Sequence, residues 1–179
     1  MQKSKIKSQK SLKGFTLVEL LVVIAIIGVL AAVVTVAINP GEMLKKGRDS
    51  NRFNDMDAVR KAIDISIADG GELNPAVCTA AEPCESLTMQ RTVDGNGWVS
   101  VNLSKYMATL PVDPKAVDST FVDSAGESVS AEYQFASDGN VYEIRCHLES
   151  SAAETLAKYT TDGGDDDGWY EVGTSLTIL

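Results

Sequence analysis

The chain has 179 residues, with 16 basic and 25 acidic side chains and a formal net charge of −9. That length gives one domain with a core of its own, and an apolar content of 44 % is too high for a disordered chain. The acidic balance makes it a poor general ligand for nucleic acid or anionic lipid headgroups.

The charge is unevenly placed. Residues 1–14 carry five lysines, Lys3, Lys5, Lys7, Lys10 and Lys13, and no acid; without them the chain keeps 11 basic and 25 acidic side chains, a formal charge of −14. From Leu20 to Ile38 run 19 residues without a charge, and only Thr35 among them is polar. A helix crosses the hydrocarbon core of a bilayer with about 20 residues at roughly 1.5 Å each. The run exceeds the apolar region of a secretory signal, about 7–15 residues, although Ala31-Ala32 imitates part of a cleavage site. The basic flank stays in the cytoplasm by the positive-inside rule, so the bulk of the chain is exported.

Two details depart from an ordinary anchor. Glu19 sits one residue before the run, and a carboxylate costs about 2.5–3.5 kcal/mol at the centre of a membrane helix and less near its end. At the interface it would need no role. The other detail is the order Lys13-Gly14-Phe15-Thr16-Leu17-Val18-Glu19. Cleavage after Gly14 would give Phe15 a new α-amine. Glu19 would then be an acid of opposite sign one helical turn away or on a neighbouring chain, and such a pair is worth far more in a low dielectric than in water.

The segment KGFTLVELLVVIAIIGVLAAVV closely resembles the class III signal and N-terminal helix of type IV pilins and of the pseudopilins of type II secretion. The resemblance implies cleavage between Gly14 and Phe15 by a prepilin peptidase, N-methylation of Phe15, and neutralisation of the Phe15 amine by Glu19 during filament packing. It also implies a single-pass precursor in the cytoplasmic membrane with its head outside. An assembly ATPase and a platform membrane protein would then lift that precursor into a self-assembled helical filament, extracellular or periplasmic. The expected function is a structural subunit of a type IV pilus-like filament, in an adhesion, motility or DNA-uptake context. A secretion pseudopilin and a low-copy minor pilin that initiates or tips the filament are the alternatives left open.

Asn39-Pro40-Gly41 predicts a break in the helix. Helical spacing resumes with Phe53, Met56, Val59, Ile63 and Ile67 as a core-facing stripe. Arg48, Asp49, Arg52, Asp55, Asp57, Arg60, Lys61 and Asp64 read as a solvated face, and Gly70-Gly71 as the stop. The chain therefore divides into a cleaved leader at 1–14, an apolar helix at 15–38, an amphipathic continuation at 39–69 and a head at 70–179. Residues 72–97 read as loop.

An exported chain sits in an oxidising setting, so disulfides form. The three cysteines allow three pairings; Cys78–Cys84 is preferred because Cys146 lies in an alternating segment, on one face with Tyr142, Ile144 and Leu148, where it acts as a small hydrophobe. Glu143, Arg145, His147 and Glu149 share the opposite face, with the histidine pointing outward. Residues 98–101 read as a short strand and 103–110 as a helical turn. Asp138-Gly139 between two alternating runs signals a hairpin. The fold class is α+β: a long N-terminal helix packed on a small antiparallel sheet.

Near the C-terminus, TTDGGDDDGWYEVG places Asp162, Asp165, Asp166, Asp167 and Glu171 among glycines. Calcium takes six to eight oxygens from a flexible loop of this kind, but the order is not that of an EF-hand. A calcium loop and a solvated acidic loop both stand, the former helped by the calcium-binding loop of the pseudopilins the chain resembles. No cofactor is otherwise required. Trp169, Tyr170, Val172 and Leu176 predict a last strand. No nucleophile elbow, phosphate loop or basic aromatic patch is present, so neither an enzyme nor a nucleic-acid binder is expected.

Overall fold

The structure is a computed structural model and describes residues 14–74 and 76–179. The five leader lysines and Pro75 lie outside them. The chain forms two compact units, one ending at Pro40 and one running from Gly41 to Leu179.

The described part of the first unit is a helix, α1, Leu17–Ile38, with none of its 22 residues buried. It stops at Asn39, which adopts the left-handed conformation at φ 48° and ψ 76°. Asparagine tolerates that region better than most residues, and the following proline disfavours a right-handed helical residue before it. A second helix, α2, spans Pro40–Ala68, with proline at its first position, where a missing N–H costs nothing.

In the second unit α2 buries Met56, Val59 and Ile63 completely. Phe53 is half-buried, and Ile67, at the end of the predicted stripe, is 37 % exposed. The helix ends as Gly70-Gly71 predicts. Gly70 turns left-handed at φ 88°, the Gly71 N–H bonds the Ser66 carbonyl at 2.8 Å, and the Gly70 N–H bonds that of Ile67 at 3.0 Å, the paired closure of a Schellman cap.

The strands are β1 (Cys84–Glu85), β2 (Thr120–Val122), β3 (Ser128–Ser130), β4 (Tyr133–Ser137), β5 (Tyr142–Cys146) and β6 (Tyr170–Gly173). A four-stranded antiparallel sheet runs β1-β4-β5-β6, and β2 pairs with β3 as a separate hairpin. The turn from β4 to β5 uses Asp138-Gly139 as expected: Gly139 sits at φ 95° and Asp138 Oδ1 accepts the N–H groups of Asn140 and Val141 at 2.8 and 2.9 Å. Tyr133, Phe135, Tyr142, Ile144, Cys146 and Leu148 form one core with the α2 stripe. Two sheet tyrosines reach back to the helix, Tyr133 donating to Asp55 at 2.8 Å and Tyr142 to Asp64 at 2.5 Å.

Several expectations are corrected. Residues 98–101 form no strand. Trp98, Val99, Ser100 and Val101 are all buried rather than alternating, and the backbone bonds the preceding loop, Trp98 N–H to Gln90 O at 3.2 Å and Leu103 N–H to Val93 O at 2.6 Å. Residues 103–110 do hold the expected helical turn, the Met107 N–H bonding the Leu103 carbonyl at 3.1 Å. The 72–97 loop contributes β1 to the sheet edge. A third helix, α3, Ala153–Thr161, was not anticipated; its Thr155 and Tyr159, four residues apart, face inward. The Tyr159 hydroxyl accepts the Leu148 N–H at 2.7 Å. Tyr159→Phe strands that buried donor and is expected to cost about 1–3 kcal/mol in a urea melt.

The largest correction concerns the helix face read as solvated. Asp49 and Arg52 are 1 % and 0 % exposed. Arg52 grips Asp113 with two N–H donors at 2.6 and 2.8 Å, Asp49 at 2.7 Å and Glu149 at 2.9 Å, and its guanidinium lies 4.4 Å from the centre of the Phe121 ring. Glu149 also takes Arg48 through two bonds at 2.8 and 2.5 Å. Asp49 accepts the backbone N–H groups of Glu149 and Ser150 at 2.9 and 2.8 Å. Burial pushes the Glu149 carboxyl up, but Arg48 and Arg52 outweigh it and hold it below the usual carboxylate value. Glu143, on the same outer face as Arg145, is likewise fully buried.

Cys78 and Cys84 are bonded and Cys146 is a buried free thiol. The bridge closes the loop that leads into β1, and the Ser137 N–H bonds the Cys78 carbonyl at 2.8 Å. Replacing both cysteines with serine is expected to lower stability by about 2 kcal/mol on the loop-entropy model, read as a shift of the denaturant midpoint.

Candidate functional site

The candidate site is the start of α1. Gly14 and Glu19 are exposed, and Phe15 is 92 % exposed. Thr16 caps the helix from an extended conformation, its hydroxyl accepting the Glu19 N–H at 3.2 Å. Glu19 returns the bond: its Oε2 accepts both the Thr16 N–H and the Thr16 hydroxyl at 2.8 Å. This reciprocal pair satisfies helix-terminal donors that otherwise lack partners. It also fixes the carboxylate beside the backbone of residues 15 and 16. Both bonds fall on one oxygen, and Oε1 takes none from the described residues.

Thr16 was not singled out from the sequence. The T-x-x-E spacing ahead of an apolar run is the signal that would have found it. Beyond this cap α1 is apolar on every side, long and apolar enough to cross a membrane by length and composition. A helix with no polar face and no buried residue needs cover from outside its own chain.

Residues 10–35 match the family model of the prokaryotic N-terminal methylation motif. The match begins in the basic flank and takes in Gly14, Phe15, Thr16, Glu19 and most of α1. That motif is the class III signal peptide found in type IV pilins and pseudopilins. No curated protein and no solved structure matches the chain.

The acidic loop is arranged differently from a metal cage. Asp162 Oδ1 accepts the Gly164 N–H at 3.1 Å and its Oδ2 the Glu171 N–H at 3.0 Å, while Asp166 Oδ1 accepts the Gly168 N–H at 2.9 Å. Asp165 and Asp167 are exposed and Glu171 is buried. Among the described residues no three acidic, histidine or cysteine side chains come together to hold a metal ion. A calcium ion needs six to eight oxygens at about 2.3–2.6 Å, so the loop in this arrangement does not fit one. Next to the loop, the Trp169 ring packs against the His147 ring, with centroids 3.6 Å apart, and against the Arg145 guanidinium at 4.3 Å. His147 is therefore half-buried rather than directed outward, and burial lowers its pKa, outweighing the Gly168 carbonyl it bonds at 3.0 Å.

Proposed function

We propose that this chain is a structural filament subunit of the type IV pilus kind. Prepilin peptidase hydrolyses the Gly14–Phe15 amide, leaving a carboxylate on Gly14 and an amine on Phe15, which is then N-methylated. The observation that carries this reading is the register of the methylation motif on α1. The matched segment takes in Gly14 and Phe15 just ahead of α1 and Glu19 in its first turn, on a helix without a single buried residue, and this supports the reading.

The physical consequence is storage followed by transfer. Exposing a large aliphatic side chain to water costs about 1.5–3 kcal/mol, so α1 stays in lipid until sister helices replace the lipid. A new ammonium at Phe15 entering an apolar bundle needs a counter-charge, and Glu19, held at the helix start by Thr16, supplies it. An assembly ATPase and a platform membrane protein are the partners this step requires. The same chemistry serves a surface pilus and a secretion pseudopilus alike.

Gly14→Val tests the reading. A bulky residue at the cleavage position is expected to leave the leader attached and to stop assembly while membrane insertion continues. Intact mass measurement of the membrane fraction reads this directly, and a mature chain beginning at Phe15 in that variant would refute the assignment.

A further inference from the structure

Between β1 and β2 the described chain forms no further strand, and its one helical element is a 3-10 turn at Ala116–Asp118. Within this stretch Asn102-Leu103-Ser104 is the single Asn-x-Ser/Thr triplet of the sequence. Such a triplet, with any residue but proline at its centre, is the acceptor pattern for an N-linked sugar on the surface loop of an exported protein.

The fold presents this triplet outward. Val101 and Leu103 are 1 % and 0 % exposed, whereas Asn102 and Ser104 are both exposed. The buried pair pins the segment, and the Ser66 hydroxyl holds its backbone by donating to the Asn102 carbonyl at 3.2 Å. The two outward side chains are already joined. Asn102 Oδ1 accepts the Ser104 N–H at 3.1 Å and the Ser104 hydroxyl at 2.8 Å, the bond pattern of an Asx turn. The amide oxygen is thus committed to the serine, and Nδ2 takes no part in these bonds.

Beside the triplet lies a cavity of about 340 Å³, lined by Asn102, Ser104, Asp69, Lys105 and Tyr106 among others. The Tyr106 hydroxyl donates to Asp69 at 2.6 Å. A carboxylate, an ammonium and a phenol therefore stand next to the amide, donors and acceptors of the kind that the hydroxyls of a sugar ring pair with.

We propose that Asn102 is an N-glycosylation site that takes its sugar from a polyprenyl-pyrophosphate-linked donor. In the transfer Nδ2 attacks the anomeric carbon of the sugar. The Nδ2–carbon bond forms as the carbon–oxygen bond to the pyrophosphate breaks, its electron pair leaving on that oxygen. The nitrogen gives up one proton to a base of the transferring enzyme and stays an amide. A lipid-linked donor is the class required because the head lies outside the cytoplasmic membrane, away from soluble nucleotide sugars. The inference rests on that export, part of the proposed function, and not on filament assembly.

The test is intact-mass and peptide mass spectrometry of the native chain from its own membrane fraction. Apart from a methyl group at the N-terminus, the chain is expected to exceed its sequence mass by whole sugar residues, all on the peptide that contains Asn102. Asn102→Gln and Ser104→Ala should each abolish the addition, the second while leaving the acceptor amide in place. Ser104→Thr should retain it, because a threonine hydroxyl completes the triplet equally well. A native chain without sugar, sugar carried on a serine or threonine instead, or an addition that survives either Asn102→Gln or Ser104→Ala would overturn the site. The same spectra read leader removal separately: a bare chain beginning at Phe15 rejects this site alone, and a sugar-bearing chain beginning at Met1 rejects the cleavage alone.

Discussion

Arg52→Ala is expected to destabilise the head by about 3–5 kcal/mol, the range found when one partner of a buried ion network is removed. The loss is large because three carboxylates depend on this one guanidinium. Asp113 and Glu149 would keep their charges without its bonds, and Asp49 would keep only its two backbone donors. Against a typical stability of about 5–15 kcal/mol, that removes roughly a fifth or more of what holds the head together. Arg52→Lys keeps the charge but loses the planar fork that meets Asp113 with two donors, so an intermediate loss is expected. Urea melts of the three proteins read the series, and an alanine variant within 1 kcal/mol of wild type would remove the network from the account of stability.

The second large effect is expected at Glu19. Glu19→Ala should leave membrane insertion and Gly14–Phe15 cleavage intact while filament yield falls tenfold or more, since about 1.4 kcal/mol of lost pairing is a factor of ten. The alanine also deletes half of the reciprocal cap with Thr16, worth about 1 kcal/mol. Glu19→Gln separates the two effects. Glutamine keeps the capping geometry and loses the charge, so assembly as poor as that of alanine identifies the charge as the working property. Wild-type yield from the glutamine variant would reduce Glu19 to a helix cap.

The parts of this protein that were legible in its sequence are those set by local pattern. An uninterrupted apolar run gives α1, Asn39-Pro40 places the break between helices, Gly70-Gly71 the stop of α2, and Asp138-Gly139 the central hairpin. The same holds for the processing motif, a contiguous string. What was not legible depends on residues far apart in the chain. Asp49 and Arg52 look like solvated helix residues until Asp113 and Glu149, about 60 and 100 positions away, arrive to bury them. Residues 98–101 resemble a strand because Trp98, Val99 and Val101 favour one, yet that composition also suits a loop buried on all sides. The burial of Glu143 and Glu171 likewise follows from the acidic loop folding back over the sheet, which no local spacing encodes. α3 was overlooked because only Thr155 and Tyr159 mark its inward face.

The central claim, that a basic leader is removed to create a charged end on an apolar helix, is tested most directly by mass spectrometry of the N-terminal peptide from sheared surface material. The expected peptide begins at Phe15 and carries one added methyl group. A native chain that still begins at Met1, with Gly14 joined to Phe15, would contradict the account.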